Sequence, residues 1–169
     1  MTIGLISDTH GVFSPEFREF LEPVDEIWHA GDFGGGLDFV HEISRFKPLI
    51  GVYGNCDGQD IRMAYPKVQL FNCEGKKVLM THIGGYPGHY DIQVRALIDA
   101  HRPDIFVCGH SHILKVMQDK TYNMLTINPG ACGIQGWHVF RTALRVQIDE
   151  TGIHDMELFK LPRAQAQGY

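Results

Sequence analysis

The sequence predicts an α/β fold in which two mixed β-sheets pack face to face and helices cover their outer faces. Apolar runs alternate with segments of helical spacing in the first part of the chain, and the last third alternates apolar and polar residues as antiparallel strands do. The length of 169 residues suits one domain. We therefore predict a single sandwich domain over residues 1–162 and a polar tail at residues 163–169.

Strands and helices are predicted to alternate over the first third of the chain. Short apolar runs that end in polar residues predict buried strands at residues 2–7, 24–30 and 48–53. Apolar residues at helical spacing predict helices at residues 15–21 and 37–46.

The rest of the chain is predicted to begin with a hairpin and a helix and to end as an antiparallel sheet. The hairpin pairs residues 67–72 with residues 77–81, and a helix over residues 90–101 is stopped by Pro103. The remaining strands are predicted at residues 104–108, 115–118, 123–127, 142–148 and 153–161. The turn signals among them are Asn128-Pro129-Gly130 and Glu150-Thr151-Gly152.

Composition argues against several classes of protein. Fifteen Lys and Arg against twenty Asp and Glu give a net charge of −5, so neither a broad nucleic-acid-binding surface nor attachment to an anionic membrane is expected. The N-terminus lacks the basic region of a signal peptide, and no apolar run approaches the ~18–20 residues that span a bilayer. Four widely spaced cysteines without a C-x-x-C pair favour a reducing compartment, so we predict a cytoplasmic protein.

Polar side chains follow five of the predicted strands at their carboxyl ends. They are Asp8, His10, Asp32, Asn55, His82, His110 and His112. Because ligands bind at the carboxyl edge of open α/β sheets, we expect these side chains to converge. Two carboxylates, four imidazoles and one amide oxygen are typical metal ligands, and together they exceed the needs of one ion. The set therefore predicts two ions that share a carboxylate.

The order of these motifs resembles that of a known family. D-x-H, G-D, G-N-C-D, H and G-H-x-H follow one another across residues 8–112, as in the calcineurin-like metallophosphoesterase superfamily, and G-N-C-D resembles its small bacterial and archaeal phosphodiesterase branch. The resemblance implies a four-layer αββα sandwich with a dinuclear centre. The implied ligands are Asp8, His10 and His112 for one ion and Asn55, His82 and His110 for the other, with Asp32 as the bridge. Asp32, Asn55 and His110 are also expected to act in catalysis.

Two positions depart from the family pattern. Cys56 stands where many members have a histidine that donates a proton to the leaving oxygen or contacts the phosphate. That role is missing here, and we expect Cys56 to line the substrate site. Ile83 stands after His82 where glycine is usual, although Gly84 and Gly85 follow it. The second departure affects the shape of a loop and leaves the ligands in place.

Ligand chemistry and charge balance favour phosphodiester hydrolysis. Mixed nitrogen and oxygen ligands favour Mn²⁺, Fe²⁺, Co²⁺, Ni²⁺ or Zn²⁺ over Mg²⁺ and Ca²⁺. Two such ions can activate a shared water as hydroxide for attack on phosphorus. Two divalent ions, two carboxylates and one hydroxide leave a single positive charge, which a phosphodiester monoanion neutralises and a monoester dianion exceeds. The predicted substrate is therefore a small phosphodiester, and the oligomeric state stays open between a monomer and a homo-oligomer.

Other functions stay open on the sequence alone. Within enzymes, the alternative is a phosphomonoesterase or a nucleotide or polyphosphate hydrolase. From another class, a non-catalytic scaffold would use the same fold, as does the retromer subunit that resembles this family. Such a scaffold would show eroded ligands and an enlarged exposed apolar patch. Substrate specificity would come from short loops around Ser14 and over residues 59–66 and 84–90.

The remaining histidines are expected to lie outside the ligand set. His29 is predicted to be packed in the core or to support a ligand. Four others are expected to be surface or structural residues: His41, His101, His138 and His154. His89 follows His82 in a glycine-rich loop and could reach the substrate.

Overall fold

The computed structural model describes residues 1–163. The strands are β1 (Thr2–Ile6), β2 (Glu26–His29), β3 (Leu49–Gly51), β4 (Val68–Cys73), β5 (Lys76–Thr81), β6 (Ile105–Val107), β7 (Leu114–Asp119), β8 (Met124–Pro129), β9 (Phe140–Asp149) and β10 (Gly152–Pro162). The helices are α1 (Pro15–Leu21), α2 (Gly36–Phe46), α3 (Gln59–Ala64) and α4 (Ile92–His101). The predicted tail at residues 163–169 lies outside the described residues except for Arg163. None of the helices within residues 1–163 is long and apolar enough to cross a membrane.

The strands form two mixed five-stranded sheets. The first has the order β10-β9-β1-β2-β3, with β1 parallel to β2 and antiparallel to β9. The second has the order β4-β5-β6-β8-β7, with β6 parallel to both β5 and β8. The predicted fold class, two mixed sheets flanked by helices, is confirmed.

The two sheets share an apolar core, and each has a second core on its outer face. Because side chains alternate along a strand, Ile3 and Leu5 of β1 pack with Val78 of the other sheet, whereas Ile6 packs with Phe17 of α1. Helices α1, α2 and α3 cover the first sheet, and α4 covers the second. A central strand such as β1 is thus buried on both faces, which explains its nearly continuous apolar sequence.

The carboxyl ends of the parallel strands of both sheets lie along one rim of the sandwich. In the first sheet, the backbone N–H of His10 donates to the carbonyl of Asp32 (3.1 Å) and joins the loops after β1 and β2. In the second sheet, the N–H of Gly109 donates to the carbonyl of His82 (2.9 Å) and joins the loops after β5 and β6. Across the sheets, the N–H of His110 after β6 donates to Asp8 Oδ2 after β1 (3.1 Å), so the polar loops of both sheets meet at the same rim.

Two expectations about local structure were wrong. Residues 59–66 are not a loop throughout, because Gln59–Ala64 form α3. This helix has six residues and buries only Ile61, so the sequence carries too few apolar positions to show a helical period. The C-terminal strands do not form one antiparallel sheet: β7 and β8 join the second sheet, and β9 and β10 join the first. Asn128 and Pro129 end β8, and the turn follows at Gly130, whose φ is +74°.

Candidate metal centre

Five of the predicted ligands meet at the rim. Asp8 Oδ1 lies 3.3 Å from His112 Nε2, 3.8 Å from His82 Nε2 and 3.9 Å from His10 Nε2. Asp32 Oδ2 lies 3.2 Å from His82 Nε2 and 3.7 Å from His10 Nε2. The ligand atoms form two groups, each within 4.8 Å: Asp8 with His10 and His112, and Asp8 with Asp32 and His82. The structure thus brings together the whole set implied for the first ion.

Each carboxylate binds the protein through one oxygen and faces the imidazoles with the other. Asp8 Oδ2 accepts hydrogen bonds from Ser7 Oγ (2.6 Å) and from the backbone N–H of His110 (3.1 Å). Asp32 Oδ1 accepts one from the backbone N–H of Cys56 (2.8 Å). The remaining oxygens, Oδ1 of Asp8 and Oδ2 of Asp32, are therefore held in a fixed direction toward the imidazoles.

The hydrogen bonds of two imidazoles leave the nitrogen that faces the carboxylates unprotonated in the neutral ring. His82 Nδ1 donates to the carbonyl of Ala30 (2.8 Å), which leaves the lone pair on Nε2. His138 Nε2 donates to the carbonyl of Gly133 (2.9 Å), so His138 Nδ1 accepts from His112 Nδ1 at 3.3 Å. His112 likewise presents the lone pair of its Nε2.

Three buried polar atoms face one another at the centre of the site. Asp8 Oδ1, His10 Nε2 and His82 Nε2 are buried and have no hydrogen-bond partner among residues 1–163. Such an unpaired atom costs about 1–3 kcal/mol. A carboxylate oxygen and an unprotonated imidazole nitrogen repel each other unless a proton or a metal ion lies between them. A divalent metal ion satisfies all three atoms together, so the residues present fit one.

Asn55 and His110, both implied for the second ion, contact each other at the exposed rim. His110 Nδ1 lies 3.0 Å from Asn55 Oδ1, and both side chains are exposed. The His110 ring also packs edge-on against the ring of His82, with centroids 5.2 Å apart. The second ligand set is thus assembled in part: His82 and Asp32 belong to the buried group, and the other two residues stand at its mouth.

The backbone is left-handed at five of the predicted ligands. Their φ angles are 54° at Asp8, 45° at His10, 56° at Asp32, 71° at His110 and 63° at His112. Within residues 1–163 only nine non-glycine residues have a positive φ, so the ligand loops hold most of them. This conformation costs on the order of 1–3 kcal/mol per residue and persists where surrounding contacts fix it. Its concentration in the ligand loops supports a functional role for them.

Asp57 connects two ligand loops. It is the last residue of the G-N-C-D motif, and the sequence alone predicted no role for it. Its buried carboxylate accepts hydrogen bonds from the backbone N–H groups of Phe33 (3.2 Å), Gly34 (3.0 Å) and Gly54 (2.8 Å). The loops after β2 and β3 are thereby joined. A Cβ at Gly54 would collide with Asp32 Oδ1, so this approach requires glycine.

His29 is buried beneath the ligand loops. Its Nε2 donates to Thr9 Oγ1 (2.9 Å), its Nδ1 accepts from the N–H of Gly31 (3.1 Å), and its ring stacks on Phe33 with centroids 3.8 Å apart. Burial lowers the pKa of His29 to about 3, so this ring stays neutral near neutral pH. His29 therefore supports the loops and presents neither nitrogen to the centre.

The electrostatics of the centre favour a bound cation. Burial acts to raise the pKa of Asp32, but the imidazoles of His82 and His10 and the N–H of Cys56 lower it overall to about 2. Burial acts to lower the pKa of His82, but the carboxylates of Asp32 and Asp8 raise it above its ordinary value. The carboxylates thus stay ionised, and a proton competes with a metal ion for His82.

Comparison with known proteins supports this interpretation. The family model of the calcineurin-like phosphoesterase superfamily domain matches residues 1–151. A probable metallophosphoesterase of Methanothermobacter thermautotrophicus is 32% identical over 139 residues, which cover 78% of this chain and 77% of the relative. The solved structure of an archaeal phosphodiesterase has a TM-score of 0.72 at 24% identity and covers 95% of this chain and 100% of its own. Vps29 from Entamoeba histolytica, complexed with Zn²⁺, has a TM-score of 0.72 at 15% identity and covers 96% of this chain and 99% of its own.

A sandwich with carboxylates and imidazoles converging on one rim defines a class of metal-binding proteins. The chain belongs to the calcineurin-like phosphoesterase superfamily, because the family model covers residues 1–151 and the curated relative exceeds 30% identity. Metal-dependent hydrolysis of phosphoesters is the activity of this family. The resemblance seen in the order of the motifs is confirmed. The solved structures, which are less than 25% identical, show the fold alone.

His138 is a residue of the site that the sequence did not reveal. It was expected to be a surface or structural residue, but it contacts His112 and fixes the protonated nitrogen of that ring. No motif marks it, because the loop before β9 reaches the rim only in the folded chain. We expect His138→Phe to lower the affinity for Mn²⁺ about 10- to 100-fold, as loss of a residue that orients a ligand does.

Isothermal titration calorimetry with Mn²⁺ measures this effect. His138→Gln retains a side-chain acceptor for His112 and should lose less affinity than His138→Phe. His41→Phe, at an exposed position of α2, is the matched control and should bind Mn²⁺ as the wild type does. Equal affinities for His138→Phe and His41→Phe would contradict the role of His138.

Metal binding should release protons, and more of them at about pH 6 than at about pH 8. A ligand imidazole must be neutral, and the raised pKa of His82 keeps this ring protonated to a pH above its ordinary value of 6.5. The affinity for Mn²⁺ should therefore fall as the pH falls through that raised pKa. Titration calorimetry in buffers of different ionisation enthalpy counts the protons. Heats at the lower pH that do not depend on the buffer would refute this expectation.

Proposed function

We propose that this chain hydrolyses small phosphodiesters with the help of two divalent transition-metal ions, drawn from Mn²⁺, Ni²⁺, Fe²⁺, Co²⁺ and Zn²⁺. The observation that carries the proposal is the set of buried, unpaired atoms: Asp8 Oδ1, His10 Nε2 and His82 Nε2. Stable proteins pair such atoms unless a ligand does so. Mixed nitrogen and oxygen donors favour these ions over Mg²⁺.

Some residues of the site balance the charge of the ions, and others contact the substrate. When bound, the ions supply a lowered pKa for water and polarisation of the phosphoester. Asp8 and Asp32 stay ionised and hold the positive charge at the rim. Asn55 Oδ1 accepts from His110 Nδ1, and one hydrogen of Asn55 Nδ2 is donated to Cys56 Sγ (3.6 Å). The second hydrogen of Nδ2 is left as a donor for a phosphate oxygen at the exposed mouth.

Charge balance supports a diester over a monoester. Two ions, two carboxylates and one hydroxide leave a single positive charge, which matches one negative charge on the substrate. Many members of the family have a histidine that could add a further positive charge at the position where this chain has Cys56. Partial burial and the carboxylate of Asp32 raise the pKa of the Cys56 thiol, so this side chain stays neutral. A neutral thiol neither balances a dianion nor acts as a nucleophile.

The function can be tested with a matched pair of substrates. The protein is stripped of metal, reloaded with Mn²⁺, Ni²⁺ or Zn²⁺, and assayed with bis(4-nitrophenyl) phosphate and with 4-nitrophenyl phosphate. We expect turnover of the diester to exceed turnover of the monoester with each active metal. Faster turnover of the monoester would make the alternative, a phosphomonoesterase or nucleotide hydrolase, the better assignment.

Cys56 should determine selectivity without being required for diester hydrolysis. Cys56→Ser should leave diester turnover within about threefold, because the contact with Asp32 is made by the backbone N–H, which the variant keeps. Cys56→His should raise monoester turnover relative to diester turnover by up to about 10²-fold, the low end for a placed general acid. Rates for both esters on both variants test this. Loss of diester turnover in Cys56→Ser at unchanged metal content would require covalent catalysis by the thiol instead.

A non-catalytic scaffold is the second candidate, and one surface favours it. Trp137 is 98% exposed and Val139 is 71% exposed, next to the half-exposed Phe140. Exposed apolar patches often mark interfaces between proteins. The filled ligand positions and the unpaired buried atoms favour catalysis instead. A metal-loaded protein that turns over neither ester would make the scaffold the better assignment.

A further inference from the structure

The loop of residues 133–139 lies against a predicted ligand of the metal centre. Gly136 is so close to the His112 ring that a Cβ at this position would collide with Nδ1 of the ring. His138, two residues further on, contacts the same nitrogen through its own Nδ1 at 3.3 Å. The position of this loop therefore determines how the His112 ring is held.

Packing in the core does not fix this loop. Residues 134–139 include no buried side chain, and Trp137 and Val139 are 98% and 71% exposed. A segment with few buried apolar contacts opens at a low free energy unless hydrogen bonds hold it. At the start of the loop, the backbone N–H of Gly133 donates to the carbonyl of Asp8 (3.1 Å). The other end of the loop needs an anchor of its own.

Arg163, a half-buried residue directly after β10, supplies that anchor. Its backbone N–H donates to the carbonyl of Val139 (2.9 Å). Its guanidinium donates through Nε to the carbonyl of His138 and through Nη1 to the carbonyl of Ile134 (3.5 Å). In the part of the chain that the structure describes, every hydrogen bond accepted by the carbonyls of residues 134–139 comes from Arg163. The planar guanidinium, which carries several donors in a fixed geometry, thus spans the loop from one side to the other.

We propose that Arg163 is a positioning residue of the metal centre, which holds the 133–139 loop so that His138 stays against His112. The inference rests on the metal site of the proposed function and does not require the hydrolytic activity. Arg163 acts through His138, whose ring contacts His112 directly. An ion bound by His112 and the hydrogen bonds of Arg163 stabilise the same conformation of the loop. Each should therefore strengthen the other, because coupling between two sites is reciprocal.

The charge of Arg163 and its positioning role predict opposite effects when the residue is replaced. If the guanidinium acted through its charge alone, its removal would strengthen the binding of a cation, because like charges repel each other. We expect Arg163→Met to lower the affinity for Mn²⁺ about three- to tenfold in titration calorimetry, because the loop is released at one end. The loss should be smaller than in His138→Phe, which removes the direct contact with His112. Arg163→Lys keeps a side-chain donor and should recover part of the loss.

Arg145→Met is the matched control. Arg145 lies on β9, and its guanidinium donates to the carbonyl of Phe20 (2.8 Å) and to the carboxylate of Glu157 of β10 (2.6 Å). Its replacement removes comparable hydrogen bonds and should leave the affinity for Mn²⁺ within about twofold of the wild type. The Tm of each variant reports its stability separately. The double variant of Arg163→Met and His138→Phe should bind Mn²⁺ within about twofold of His138→Phe alone, because Arg163 acts through that residue.

Hydrogen exchange tests the coupling in the other direction. Exchange of the Arg163 backbone N–H, followed by NMR, should slow about three- to tenfold when Zn²⁺ is added, because the ion opposes opening of the loop. The backbone N–H of Lys47, which donates to the carbonyl of Ile43 (3.1 Å) at the end of α2, should exchange at the same rate with and without Zn²⁺. In His138→Phe the effect of Zn²⁺ on the Arg163 N–H should disappear.

The outcomes separate this inference from the proposed function. If Arg163→Met binds Mn²⁺ as Arg145→Met does, or more tightly than the wild type, the positioning role is refuted. Effects that multiply in the double variant would refute action through His138. If affinity and exchange change as expected and neither ester is hydrolysed, the positioning role stands and the proposed activity fails. A wild-type protein that binds no Mn²⁺ or Zn²⁺ would refute both.

Discussion

Asp32→Asn is expected to lower phosphodiester turnover by about a thousandfold or more, since loss of one ion removes several kcal/mol of charge stabilisation. It should also remove more bound metal than any other single ligand replacement. Asp32 Oδ2 faces the imidazoles of both His10 and His82. Asparagine keeps the shape and an acceptor for the N–H of Cys56, but it loses the negative charge that the ions share.

Elemental analysis and turnover, measured on the same preparations, check this expectation. Asp38→Asn makes the same change at an exposed position in the first turn of α2 and should retain metal and activity. Asp8→Asn is the stronger test of the bridge assignment, because Asp8 Oδ1 belongs to both groups of ligand atoms. If Asp8→Asn loses more metal than Asp32→Asn, Asp8 is the residue shared by the two ions and the assignment of the bridge changes.

Most of the strands and helices can be predicted from the local pattern of apolar and polar residues. The central strand β1 is nearly all apolar because both of its faces are buried, and α1 was predicted with the bounds Pro15–Leu21 that the structure shows. The assignment of strands to sheets does not follow in this way. An alternating pattern reports that one face of β8 or β9 is buried, but it does not say which strand lies alongside. β8 pairs with β6, and this pairing places Ile127 in the core between the sheets. The contacts that select this pairing join distant parts of the chain.

The site divides in the same way between local and distant determinants. The ligands could be predicted because polar residues at the carboxyl ends of strands converge in any open α/β sheet. The contact between His112 and His138 joins residues 26 positions apart, and the link from Asp57 to Phe33 joins residues 24 apart. Such contacts leave no periodic signal in the chain. The left-handed backbone at Asp8 is equally hidden, because aspartate does not itself require it.

Metal removal should abolish phosphodiester turnover and also lower the thermal stability of the protein. Asp8 Oδ1, His10 Nε2 and His82 Nε2 are buried and have no hydrogen-bond partner in the part of the chain that the structure describes, and a bound ion stabilises only the folded state in which they meet. At a concentration of about 100 Kd, one ion contributes about 2.7 kcal/mol. For a chain of this size that corresponds to a decrease in Tm of about 5–10 °C on chelation. Calorimetric scans with and without chelator measure it.

Restoring individual metals then tests the donor set itself. Mn²⁺, Ni²⁺ and Co²⁺ should restore both turnover and Tm better than Mg²⁺ does, because four of the seven predicted ligands are imidazoles and Mg²⁺ prefers oxygen. The two readouts are independent, since an ion can stabilise the fold without supporting catalysis. Mg²⁺ that restores Tm and turnover as well as Mn²⁺ would contradict the assignment of His10, His82 and His112 as ligands. If Ni²⁺ restores Tm but not turnover, the metal site is supported and the substrate is an ester other than the diester assayed.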